Sequence, residues 1–268
     1  ADGLININLK GGGLTVDAGN ASGAYAQIGH GGLDSADASH SGRITVRTDN
    51  GATVGDLALT GGNATDAYVQ LGHGGGNIIG NMGGIGPDGD IIAIANDIRL
   101  TAGNGTRAFG MIGHGGYNVD GTATGDIFLR HVPVSMTDIG SGSTELLGGS
   151  GGDAFAQIGH GGSFSDTGNK SGDILVAGSR GVTMDSGGGN AYTQIGHGGR
   201  HGGGGSEADL DLSGNIVVDS SGGALDMDGG AGSAYSKIGH GGRNLFGAKG
   251  GIGQVIDVTA TLIDMDAN

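Results

Sequence analysis

The sequence predicts an all-β chain: a right-handed parallel β-solenoid (β-helix) of about six glycine-rich repeats of about 42 residues, with three short strands in each repeat. Three observations predict it. A nine-residue motif returns six times, two short segments of alternating apolar and polar residues accompany it, and glycine supplies one residue in four without the three-residue period of collagen.

The motif sets the period. Residues 24–32 read AYAQIGHGG, and the same pattern returns as AYVQLGHGG at 67–75, AFGMIGHGG at 108–116, AFAQIGHGG at 154–162, AYTQIGHGG at 191–199 and AYSKIGHGG at 234–242. Its histidines are 43, 41, 46, 37 and 43 residues apart. The first accompanying strand follows a glycine, as in GRITV from Gly42, GDIFL from Gly125, GDILV from Gly172 and GNIVV from Gly214. The second precedes the motif, as in LTV from Leu14, LAL from Leu57, IRL from Ile98, VTM from Val182 and LDM from Leu225. Both alternate with the period of two that marks a strand. In the fourth unit the second strand, between Thr137 and Leu147, fits poorly. The stretch between each motif and the next first strand is rich in Gly, Asp, Asn and Ser and varies in length, so insertions are absorbed in loops.

Three strands joined by glycine-rich corners suit one coil of a β-helix. A propeller blade has a similar repeat length but needs four antiparallel strands, and blades generally carry more aromatic residues. Stacked coils advance about 4.8 Å each, so six would span about 29 Å, or about twice that if every unit winds two coils. The whole chain, 1–268, is one repeating domain in this scheme, and both of its ends are expected to be uncapped.

Strand alternation assigns faces within the motif. Ala24, Ala26 and Ile28 share the expected core face. Tyr25 and Gln27 then point the other way, outward, an assignment suggested by Lys237 at the Gln27 position of the last motif. Stacking places equivalent side chains in ladders: Tyr25, Tyr68, Phe109, Phe155, Tyr192 and Tyr235; Gln27, Gln70, Gln157 and Gln194; and His30, His73, His114, His160, His197 and His240. Gly29, Gly31 and Gly32 turn the corner through positive φ.

Composition narrows the function. The formal charge of −15 opposes a phosphate backbone and argues against nucleic acid as a partner. No apolar run approaches the roughly 20 residues of a membrane span. The absence of cysteine is compatible with an extracellular protein stabilised without disulfides.

Six histidines in one register raise a metal hypothesis, but a closed site needs ligands converging on a point and no acid or cysteine accompanies each ring. A structural role, with the ring bonded to the corner backbone, is the expectation, and pH-sensitive stability is its corollary. Asp34, Asp37, Asp88, Asp90, Asp209 and Asp211 offer carboxylates to Ca²⁺, although their loops follow neither the nonapeptide calcium repeat nor the EF-hand, so solvated turn acids are preferred and no cofactor is assigned. An enzymatic site should break the repeat. The departures His40, His131, Glu145, His201 and Glu207 scatter over different units, and no P-loop, GxSxG or HExxH occurs, so no catalytic residue is named.

The AYAQIGHGG units with their SGDI-type strands resemble the repeat regions of large bacterial exoproteins of the filamentous-haemagglutinin-like and autotransporter-passenger kind. The resemblance covers nearly the whole chain. It implies an extracellular or cell-surface rod, adhesive or structural, whose partners are further copies of itself, neighbouring repeats of a longer chain, glycans or another cell's surface. A carbohydrate-binding or carbohydrate-cleaving β-helix is the alternative.

Overall fold

The computed structural model describes residues 3–35, 38–51, 53–84, 86–132, 142–165, 167–201, 210–244, 249–250 and 254–267. Half the chain is strand, the sheets are parallel, and the architecture is consistent with a parallel β-solenoid. Every strand pairs with its counterpart in the neighbouring unit. Ile5 pairs with Ile44, Ile91 with Ile127, and Ile174 with Ile216 along the first-strand ladder. Leu14 pairs with Leu57 and Ile98 with Thr144 along the second. Because equivalent positions of consecutive units are direct partners, each unit winds once, and the parallel ladders exclude the antiparallel hairpins of a propeller blade.

The expectation of three strands per unit falls short. After the motif strand, such as Gly110–Ile112, the chain forms another from Gly115 to Asp120 and a two-residue strand, Ala123–Thr124, before the next first strand. The sequence hides these because Gly-Gly carries no apolar alternation and two residues carry no period.

First, second and motif strands enclose the main core. Ile44, Val46, Leu57, Leu59, Val69 and Leu71 are fully buried there, and the same positions in the other units extend the cluster along the axis. The fourth unit's irregular second strand runs Thr144–Leu147. Thr144 stands where its neighbours carry Ile98 and Val182, and its hydroxyl lies 2.8 Å from Nε2 of buried His131, whose Nδ1 lies 2.5 Å from the carbonyl of Asn96. A polar pair thus replaces an apolar contact, which is why alternation fails at this point; residues 133–141, which include part of that expected strand, lie outside the described residues.

A second core corrects the assigned facing. Tyr68, Phe109, Phe155 and Tyr192 are buried, as are Gln70, Gln157 and Gln194, so these positions point into an interior rather than to solvent. The strand that begins on the motif's closing Gly-Gly folds back over them. A Cβ on Gly32 or Gly75 would come within 2.5 Å of the hydroxyl of Tyr25 or Tyr68, so only glycine lets the covering strand approach the ring tips. Tyr25, in the first unit, stays 43% exposed.

Candidate functional site

Three ladders meet at the His-Gly-Gly corner. The aromatic rings stack nearly parallel, with centroids 4.5–5.0 Å apart from Tyr25 to Tyr235. The six imidazoles stack likewise at 4.8–5.1 Å. Side-chain amides bridge the coils: Gln70 Nε2 donates to its own unit's His73 carbonyl and to the carbonyls of Gly113 and Gly115 in the next. Gln27, Gln157 and Gln194 repeat the arrangement. Lys237 substitutes an ammonium, with Nζ donating to His240 and Gly241 carbonyls. Its presence therefore signals another donor aimed at corner carbonyls, not an outward face.

Five of the six imidazoles, His73 to His240, are each fixed by two backbone groups. The His73 amide donates to His114 Nδ1, the His114 amide to His160 Nδ1 and the His160 amide to His197 Nδ1, all at 3.0 Å. Across the coil, Nε2 of His73, His114, His160, His197 and His240 lies 2.7–2.9 Å from the carbonyls of Gly42, Gly89, Gly125, Gly172 and Gly214. An amide only donates and a carbonyl only accepts, so these rings are neutral and carry their proton on Nε2. Burial agrees with that state. It lowers the proton affinity of His73 to a pKa of about 4 and of His114 and His197 to about 3, and lowers those of His160 and His240 as well.

The carbonyl that receives each ring belongs to the glycine opening a first strand, and this accounts for the Gly-Asp-Ile pattern. Gly125 has φ 133° and presents its carbonyl to His160; Ile127 fills the core; Asp126 Oδ1 accepts the amide of Asp173 one unit on. Asp90 serves Asp126, and Asp173 serves Asn215, in the same way. Further rim ladders run Asn20–Asn63–Asn104–Ser150 and Asp34–Asn77–Asn118. Sequence reasoning missed them because each partner lies about 42 residues away; the recurrence of Asx at one register position was the available signal.

The described calcium candidates do not converge with other ligands on a metal site. Asp34 and Asp90 belong to separate rim ladders, Asp88 sits in the turn Gly86–Gly89, and Asp211 starts the strand Asp211–Ser213. Asp37 and Asp209 lie outside the described residues. Among the described residues no three His, Cys, Asp or Glu side chains are placed to hold a metal ion. Of the departures from the repeat, His40 and His201 are buried, Glu145 pairs with Arg99, and Glu207 lies outside the described residues.

One charged cluster was not foreseen. Arg107 makes a two-pronged ion pair with Asp66 at 2.5 and 2.7 Å and lies over the ring of Tyr117, while Arg200 pairs with Asp153 and lies over Phe164. These residues come from successive units and alternate in sign along the axis, with Tyr117 and Phe164 in tilted contact at 5.4 Å. No helix is long and apolar enough to cross a membrane among the described residues. No protein-family model, curated protein or solved structure matches the chain.

Proposed function

We propose that this chain is a structural or adhesive segment of an extracellular fibre or surface protein, a right-handed solenoid of about six units that stacks end to end. The handedness follows the strong rule for parallel strand crossovers. The observation that carries the reading is the identity of the ladders from unit to unit: aromatic, amide, imidazole and Asx side chains at each level are committed to the next level. Such commitment builds length and stiffness and leaves few polar groups for chemistry on a substrate. The outermost described strand, Ile256–Asp266, exposes Leu262, Ile263 and Met265, and at the opposite end Leu4 and Tyr25 are exposed. A further unit, from a second copy or from neighbouring repeats of a longer chain, would cover them. The resemblance to filamentous-haemagglutinin-like and autotransporter-passenger repeats is in keeping with this role and with a cell-surface location.

Electron microscopy at rising concentration, with and without chelator, tests it. Rods that lengthen with concentration support self-stacking, and lengthening lost on chelation adds calcium. Short, monodisperse rods under every condition count against self-stacking.

A second reading, glycan binding, is favoured by the Arg107–Tyr117–Phe164–Arg200 cluster, which gathers aromatic and charged side chains from neighbouring coils. Glycan-array binding abolished by Tyr117→Ala would support it, and an array without signal would remove it.

A further inference from the structure

We propose that the histidine stack is an acid-sensitive seam: the corner stays wound only while its rings are neutral, and proton uptake by several rings together opens the solenoid there. This goes beyond the fibre reading and does not depend on it.

The hydrogen-bond roles carry the inference. Nδ1 of His114, His160 and His197 is the acceptor for a backbone amide of the preceding unit, and Nε2–H already serves a glycine carbonyl. The only site left for a second proton is therefore Nδ1. Protonation there turns an acceptor into a donor facing a donor and strands a buried amide. It also places like charges 4.8–5.1 Å apart along the axis.

Burial outweighs the glycine carbonyls that favour a protonated ring, and no acid among the described residues compensates the added charge. The described side chains acting on the rings are other rings of the stack, His40 beside His73, Lys170 beside His160 and His197, and Lys237 beside His240, all neutral or cationic. Lys170 is itself buried, with Nζ donating to the carbonyls of Gly121, Thr167 and Gly168. The acids that follow the receiving glycines, Asp90, Asp126 and Asp173, face the rim and hold the next unit's amides.

The direction of the effect follows. An unfolded chain binds protons at histidine below about pH 6.5. The folded rings resist, down to about pH 4 at His73 and about pH 3 at His114 and His197. Stability contributed by the neutral rings is thus complete above about pH 6.5 and is lost as pH falls toward those folded values, by about tenfold in the folding equilibrium per pH unit for each ring. Several rings acting together make the loss steep.

Denaturant unfolding of the intact chain between about pH 7.5 and about pH 5, above the ordinary carboxylate range, reads this directly. The expected result is an unfolding constant that rises more than about a hundredfold per pH unit below pH 6.5, the mark of two or more protons taken up together. A slope of less than one proton overturns the seam. His160→Asn keeps an oxygen acceptor without titrating and should reduce the slope by about one proton. Should that variant fail to fold, ring ¹⁵N shifts of the unmodified protein decide: motif rings that stay neutral with Nε2–H to about pH 5 support the proposal, and rings that protonate near pH 6.5 within a still-folded chain refute it.

Discussion

The backbone amide of His114 donates to Nδ1 of His160, 3.0 Å away and one unit on, while Nε2–H of the same His160 ring donates to the carbonyl of Gly125. One side chain thus joins the corners of two successive coils to the start of its own coil's first strand. Replacing His160 with Ala leaves both backbone groups buried without partners, at roughly 1–3 kcal/mol each. Urea denaturation should show a loss of that combined size, and His160→Asn should recover part of it.

Glycine at the corner is required by the neighbouring coil. A Cβ on Gly113, whose φ is 156°, would overlap the carbonyl of Gly159, whereas a Cβ on Gly188 meets nothing within 4 Å. Gly113→Ala should cost more than about 3 kcal/mol or abolish folding, and Gly188→Ala should stay within about 0.5 kcal/mol. Equal melting temperatures for the two variants would contradict the close stacking of the corners.

The second core predicts a large loss for Phe155→Ala, about 3–5 kcal/mol, because the ring is fully buried between Phe109 and Tyr192. Ile158→Asp should prevent folding by placing an unpaired charge in the main core. If Phe155→Ala were neutral while Ile158→Asp unfolds the chain, the aromatic ladder would be a surface feature after all.

The period, the strand segments and the register of the histidines could be read from the sequence because they rest on recurrence, which stacking converts directly into contact. The facing of Tyr68 and Gln70 could not. Alternation defines two faces and says nothing of what covers each, and here the cover is the Gly74-Gly75 start of a strand, where glycine gives no apolar signature. Arg107 and Asp66 were equally hidden, since their ion pair joins loops 41 residues apart.

The rim ladder separates geometry from charge. Asp126 accepts the amide of Asp173 through one oxygen, and Asp90 and Asp173 stand on either side of it. Asp126→Asn keeps the acceptor and removes a like charge, so its stability should equal or slightly exceed that of the parent. Asp126→Ala removes the acceptor and should cost about 1 kcal/mol. Thermal melts of the pair at low and high salt check this, with the advantage of Asn shrinking as salt rises.

Through-hydrogen-bond ¹⁵N–¹⁵N coupling in the intact, uniformly labelled chain tests the central claim most directly. Stacked units require a coupling between the amide nitrogen of one motif histidine and Nδ1 of the next, with His114 to His160 and His160 to His197 resolved in one spectrum. Observing that series establishes the coil register and the ring tautomer together. Motif rings with no such couplings, titrating at the ordinary histidine value, would contradict the account.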